Sequence, residues 1–254
     1  MFRVQIGDRV SRWWIQKNGL PWESVLAPTL FNIYINDLPQ TTSRKFIYAD
    51  DICCATQAKK FKELEHILIS DMTVLSDYCA KCQLQPSVLK TVTSVFHLHN
   101  ASASTELNVL LNWKRIQHEH EPVYLGVTLD WSLTFCTHMM KTAAKVQARN
   151  NLITKLAGST WGASARTFCT ATLALCFLLA EYCAPVWCHC THTKLVDIQL
   201  NSAMRTISGS IMLTPVPWLP VWYKPQGVLE LSGYWIYVMV LWKNVVSKSS
   251  TSQV

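Results

Sequence analysis

Two adjacent carboxylates, Asp50 and Asp51, interrupt the stretch Lys45-Phe46-Ile47-Tyr48-Ala49-Asp50-Asp51-Ile52-Cys53-Cys54-Ala55, whose flanks are apolar and β-prone. Like charges repel, and each carboxylate needs water or a cation to stay ionised beside apolar neighbours. The pattern predicts a β-hairpin whose turn aims both acids at one solvent-open point. A divalent ion answers that geometry, and Mg²⁺ favours carboxylate oxygens. An isolated Asp-Asp pair is as readily a solvated turn, because Asp is common in turns. The flanking segments decide between the two.

Upstream runs Asn18-Gly19-Leu20-Pro21-Trp22-Glu23-Ser24-Val25-Leu26-Ala27-Pro28, followed by Thr29 to Pro39. Ser24 is a candidate N-cap and Pro28 fits an early helical turn. Phe31, Tyr34, Ile35 and Leu38 share one helical face, and Pro39 stops the helix. This order, a turn opening a helix and then a YxDD hairpin, resembles the palm of reverse transcriptases. The wording of Leu30 to Pro39 is similar to the polymerases of non-LTR, LINE-like, jockey-type retrotransposons. The resemblance implies an α+β fold: a partial polymerase palm, an antiparallel sheet with packed helices, followed by an α-helical thumb-like region. It places Tyr48, Ala49, Pro21, Trp22, Glu23 and Ser24 near primer and nucleotide. It makes Asp50 and Asp51 catalytic ligands of Mg²⁺.

Downstream, Phe61, Leu64, Leu68, Met72, Leu75 and Tyr78 fall at helical spacing, so Lys60 to Tyr78 is expected to be an amphipathic helix covering the sheet. Lys90-Thr91 resembles the family segment whose lysine protonates departing pyrophosphate; a solvated lysine is the residue-level alternative. Pro122 to Asp130 is similar to the primer-grip hairpin, and the resemblance makes Tyr124, Leu125 and Gly126 its grip residues. From Trp131 to Ala180 there is no Asp or Glu, while Lys141, Lys145 and Arg149 recur at every fourth position opposite Met139, Ala143, Val146 and Ile153. Such a stripe suits a phosphate backbone through counterion release, and a solvated helix face is its bland alternative.

Net charge +7 points towards nucleic acid or acidic surfaces. Charged residues are only 15% of the chain, against about a quarter in ordinary soluble domains, so low solubility is expected. Neither Cys79-Ala80-Lys81-Cys82 nor Cys188-His189-Cys190 with His192 has a second ligand pair nearby, so the 10 cysteines read as reduced thiols rather than zinc ligands. Without a basic leader or apolar h-region, the expected location is intracellular, nucleus or cytoplasm, and not secreted. The apolar runs Ala171 to Ala180 and Gly233 to Trp242 are shorter than the ~20 residues of a spanning helix, so both are expected to be core helices and no membrane is expected.

The expected organisation is a palm remnant over 1–130, helical thumb-like residues 131–217, and a divergent apolar segment with a disordered tail over 218–254. By resemblance the reaction is RNA-templated addition of deoxynucleotides to a DNA primer. The family's two-ion chemistry needs a third carboxylate, on a strand corresponding to residues before Phe2, and Trp22-Glu23 replaces the family's Gln-Gly. The isolated chain is therefore expected to be an inactive fragment. The alternative is a non-catalytic nucleic-acid-binding or interaction protein. Loss of a sheet strand beside Phe46 to Thr56 is expected to leave an exposed edge prone to self-association.

Overall fold

The computed structural model describes residues 1, 3–15, 24–97, 105–156, 162–211, 213–215, 236–242 and 246–247, the last two stretches as backbone. In chain order the elements are β1 (Gln5–Ile6), β2 (Arg9–Val10), α1 (Ala27–Tyr34), β3 (Arg44–Tyr48), β4 (Asp51–Ala58), α2 (Phe61–Lys81), β5 (Leu84–Gln85), β6 (Val92–Phe96), β7 (Leu110–Leu111), β8 (Lys114–Arg115) and β9 (Gln117–His118). There follow β10 (Val123–Tyr124), β11 (Val127–Thr128), α3 (Cys136–Leu156), α4 (Ala165–Thr172), a π-helical stretch Leu173–Phe177, α5 (Leu178–Glu181), α6 (Ala184–Trp187), α7 (Lys194–Ser208), β12 (Ile236–Trp242) and β13 (Val246–Ser247). The mixture is α+β, as the sequence predicts. The chain divides into two units, one of residues 1–120 and 234–254, the other of residues 121–233. The boundary expected at 130 thus falls at 120, and the C-terminal stretch joins the first unit.

The first unit is built on a five-stranded sheet of order β3-β4-β12-β6-β9. All neighbours are antiparallel except β6 and β9. One row runs Phe46, Cys53, Leu241, Val92, Gln117 across the five strands. Helix α2 buries Leu64, Leu68, Met72, Leu75 and Tyr78, a stripe three to four residues apart, and Ile52, Cys54 and Ala58 of β4 join the same core. Glu63 in its first turn and Lys81 in its last complement the helix dipole.

Two local expectations change. Helix α1 begins at Ala27 with Leu26 at the cap and no side-chain cap bond, so Ser24 does not cap it; Pro28 sits in the first turn. The run expected as a helix over Gly233 to Trp242 is strand β12, paired over seven residues with β4 and five with β6. A short apolar run has no periodicity that separates strand from helix, and Ile236-Tyr237-Val238-Met239-Val240-Leu241-Trp242 is dominated by β-branched and aromatic residues. The edge expected to lie open along β4 is therefore filled. Among the described residues, β3 pairs with β4 alone and is the outer strand. Residues 218–233 and 248–254, expected to be divergent and disordered, lie outside the described residues.

In the second unit, α3 buries Met139, Val146 and Ile153 against a core that includes Phe168, Cys176, Ala180, Ala184, Trp187 and Val196. Ala171 to Ala180 is helical as expected, running from α4 through the π-helical stretch into α5. Ser164 caps α4 by accepting the Thr167 N–H at 3.2 Å. Gly209, at φ 65°, ends α7 in the left-handed conformation that glycine adopts without penalty.

Candidate functional site

Tyr48 faces Asp51 in the β3–β4 register, leaving Ala49-Asp50 as a two-residue turn. Ala49 has φ 50°, a left-handed conformation that costs a residue with a Cβ about 1–2 kcal/mol. Strand alternation sends Ile52, Cys54 and Ala58 into the α2 core, so Asp51, Cys53 and Ala55 belong to the opposite face. Across the pair, the same face carries Arg44, Phe46 and Tyr48. Tyr48 is 64% and Phe46 46% exposed, and the Arg44 guanidinium lies 5.9 Å from the Phe46 ring centre. Burial pushes the Cys53 and Cys54 thiols up to about 12, which keeps both neutral behind the turn.

The approach to β3 is held by Asp71, a 3% exposed carboxylate on α2. It accepts the Ser43 N–H at 2.8 Å and the Thr42 N–H at 3.0 Å. Behind it, the Tyr78 hydroxyl donates to Asp37 Oδ1 at 2.6 Å, and the Tyr34 hydroxyl donates to the Cys82 carbonyl, tying α1 and its C-terminal flank to the end of α2. Burial, then the Asp37 carboxylate, raise the Tyr78 phenol far above its ordinary range.

Lys90 is exposed in the turn before β6, and its backbone N–H donates to the Ser87 carbonyl at 3.2 Å. Because Cys53, Leu241 and Val92 share one row, this turn lies at the same end of the sheet as Asp50-Asp51. Strand β12 separates the two parent strands by two spacings, roughly 10 Å. Ser24 is half-buried, and its carbonyl accepts the Ala27 N–H at 3.1 Å. Pro21, Trp22 and Glu23 lie outside the described residues.

A family model described as reverse transcriptase (RNA-dependent DNA polymerase) matches residues 2–129. The chain belongs to the reverse transcriptase family. It is 29% identical over 157 residues to a probable RNA-directed DNA polymerase from transposon BS of Drosophila melanogaster, covering 58% of this chain and 17% of that protein. It is 30% identical over 147 residues to the RNA-directed DNA polymerase from mobile element jockey of Drosophila funebris, covering 54% and 15%. The Drosophila melanogaster jockey polymerase is 28% identical over 130 residues, covering 48% and 14%. The chain therefore spans less than a fifth of the length of these relatives. No solved structure matches it.

For a reverse transcriptase, the donor set at the turn is small. Asp50 and Asp51 are adjacent carboxylates at a half-exposed tip, a set that suits one hydrated Mg²⁺ shared with phosphate oxygens. It does not suit two ions. Among the described residues no group of three or more His, Cys, Asp or Glu could hold a metal, and Asp37 is engaged by Tyr78. The same finding covers Cys79 with Cys82 and the Cys188 to His192 patch, and none of the ten cysteines is in a disulfide. No described helix is long and apolar enough to cross a membrane.

The remaining residues singled out in the sequence fall in the second unit. Strands β10 and β11 form the hairpin expected over Pro122 to Asp130, with Leu125 and Gly126 in its turn. Asp130 holds the turn that leads into α3: its carboxylate accepts the Thr134 hydroxyl, the Thr134 N–H at 3.0 Å, the Phe135 N–H at 2.6 Å and the Ser132 hydroxyl at 3.1 Å. Burial alone would raise the Asp130 carboxyl; these bonds outweigh it and hold it below the ordinary range. The cationic stripe is partly committed. Lys141 pairs with Glu121 at 3.4 Å and Arg149 donates to the Leu175 carbonyl at 2.9 Å, while Lys145 is exposed. Glu121 precedes the acid-free block, so a count within that block misses it. Asp71, His138 and Tyr182 were also outside the sequence reading; only Asp71 gave a signal, as an acid on the apolar stripe of α2.

Proposed function

We propose that the chain is a palm and thumb-like segment of a jockey-type reverse transcriptase, whose reaction adds deoxynucleotides to a DNA primer on an RNA template. The observation that carries this reading is the sheet register that sets the Asp50-Asp51 turn and the Lys90 turn at one end. Asp50 and Asp51 would be the residues to hold Mg²⁺, and Ala49 would lie under the primer end. When bound, the ion neutralises charge on the triphosphate. Lys90 supplies a proton from its ammonium to the departing pyrophosphate. Tyr124, Leu125 and Gly126 grip the primer backbone. Lys141, Lys145 and Arg149 track duplex phosphates, and that contact is sequence-independent.

A second reading is favoured by one observation: the strand beside β4 is Ile236–Trp242, which carries no carboxylate. On that reading the chain binds nucleic acid and does not polymerise. Two measurements on the 254-residue chain separate the readings. Mn²⁺ binding, followed by water-proton relaxation, is expected to tighten with dTTP and to be lost in Asp50→Ala and Asp51→Ala. Primer extension on a poly-A template with Mg²⁺ or Mn²⁺ is expected to stay at background. Extension that disappears in Asp50→Ala would refute the two-carboxylate argument. Absence of Mn²⁺ binding with dTTP and primer–template present would remove the catalytic reading and leave the second.

A further inference from the structure

Strands β10 and β11 pair at only two positions, Val123 with Thr128 and Tyr124 with Val127. A hairpin this short is marginal by itself. Its turn has Leu125 at φ 45° and Gly126 at φ 81°, the pair of positive-φ residues that marks a type I′ two-residue turn. Glycine takes that conformation freely, whereas Leu125 holds it under strain. Something outside the hairpin must therefore hold the turn.

Tyr182 does so. It follows α5 with φ −55° and ψ 122°, and Cys183 after it is left-handed at φ 55°, so the chain bends sharply there. The Tyr182 hydroxyl donates to the Leu125 carbonyl at 2.7 Å. Its ring covers Gly126 so closely that a Cβ at that position would lie 2.9 Å from Cε1 and 3.4 Å from the hydroxyl oxygen. The Tyr182 backbone is in turn fixed by Trp187, a buried side chain whose indole N–H donates to the Tyr182 carbonyl at 3.0 Å. The base of the hairpin has its own tie, the Thr128 N–H donating to His138 Nδ1 of α3 at 3.2 Å.

We infer that Tyr182 is the positioning residue of the Tyr124-Leu125-Gly126 turn, locking the strained turn onto the helical unit so that it presents one fixed surface to a nucleic-acid duplex. The surface's role rests on the proposed function; the lock itself does not. The glycine at 126 is required twice, by its positive φ and by the Tyr182 ring. Hairpin and α3 cations then act as one body, because both are held within residues 121–233.

The test uses the 254-residue chain with Tyr182→Phe, Tyr182→Leu, Gly126→Ala and the double variant Gly126→Ala/Tyr182→Gly. Amide hydrogen exchange is followed at 123–128, with 139–153 as internal reference, and the affinity for a fluorescein-labelled RNA–DNA duplex is measured at several salt concentrations. Tyr182→Phe keeps the ring and loses one hydrogen bond, so exchange at 123–128 is expected to rise roughly fivefold. Tyr182→Leu and Gly126→Ala are expected to raise it further, with 139–153 unchanged. The double variant, which lacks both the hydroxyl and the ring, is expected to exchange at least as fast as Tyr182→Leu. Duplex affinity should fall severalfold in step with exchange, at an unchanged salt slope, because no phosphate-facing cation is altered. Unaltered exchange in Tyr182→Phe and Tyr182→Leu would overturn the lock. Faster exchange with unaltered duplex affinity would overturn its positioning role. A wild-type chain that binds no duplex would overturn the nucleic-acid reading of the turn, while the exchange result still decides the lock.

Discussion

Asp71→Ala offers the sharpest test of how the candidate turn is supported. The Asp71 carboxylate is 3% exposed and accepts two backbone N–H groups that lead into β3. Hydrogen bonds to a charged group contribute about 1.5–3 kcal/mol each. Ser43 is buried, so its N–H would lose a partner with no water to replace it; Thr42 is exposed, and solvent can substitute there. The expected cost is then about 3 kcal/mol, mostly through Ser43. Asp71→Asn keeps one acceptor and should cost about half as much. Urea denaturation of the chain reads the total, and amide exchange locates it. A 3 kcal/mol loss is a factor of roughly 150 in a local opening constant, so exchange over 44–48 should accelerate by up to that factor. Exchange in α3 should not change. An unaltered urea midpoint, or acceleration spread evenly over both units, would refute the reasoning.

Ala49→Gly should stabilise the hairpin by about 1 kcal/mol, because glycine adopts φ 50° without a Cβ penalty; a rise in thermal midpoint of about 2–4 °C is the readout. His138 should make stability pH-dependent. Burial, then Lys145 and Lys141, hold its pKa below the ordinary histidine value of about 6.5, and its Nδ1 must be unprotonated to accept the Thr128 N–H. The unfolded chain therefore binds the proton first. The stabilisation is complete above about pH 6.5 and is lost as pH falls towards the depressed folded value. Urea midpoints from pH 7.5 to 5 should show this fall, and His138→Gln should flatten it. Replacing Lys141, Lys145 and Arg149 together by Gln should weaken duplex binding alike for all sequences and lower the salt slope by about one unit per lost contact. Lys145 should dominate, since the other two have protein partners; unchanged binding would return the stripe to an ordinary solvated face.

The parts legible in the sequence are those where one strong periodicity meets one chemical oddity. The acids between two β-prone runs located the β3–β4 turn, and the Leu64-Leu68-Met72-Leu75-Tyr78 spacing located α2. The Met139, Val146 and Ile153 face of α3 was equally plain. What failed depended on partners distant in the chain. Strand β12 is a seven-residue apolar run with no period of its own to mark it as strand, and its state is decided by β4 and β6 on either side. The Lys141–Glu121 pair, the His138–Thr128 bond and the Tyr182–Leu125 bond all join residues that no local pattern relates. Ser24 shows the converse limit: a good cap residue does not cap where the chain enters the helix three residues later.

Strand β12 also imposes an order of events on the growing chain. Strands β4 and β6 never pair with each other; each pairs with β12. Their sheet cannot close until Trp242 has emerged from the ribosome. Translation at about 5–20 residues per second puts that moment on the order of ten seconds after Phe96 appears. During this interval the β3–β4 hairpin and Leu84, Leu107, Val109, Leu111 and Ile116 can cover the apolar face of α2, but β4 and β6 expose unpaired backbone on their facing sides. The nascent chain thus passes through a window of stickiness that the finished fold does not have. Chaperone occupancy should consequently peak before residue 242 is made and fall after it.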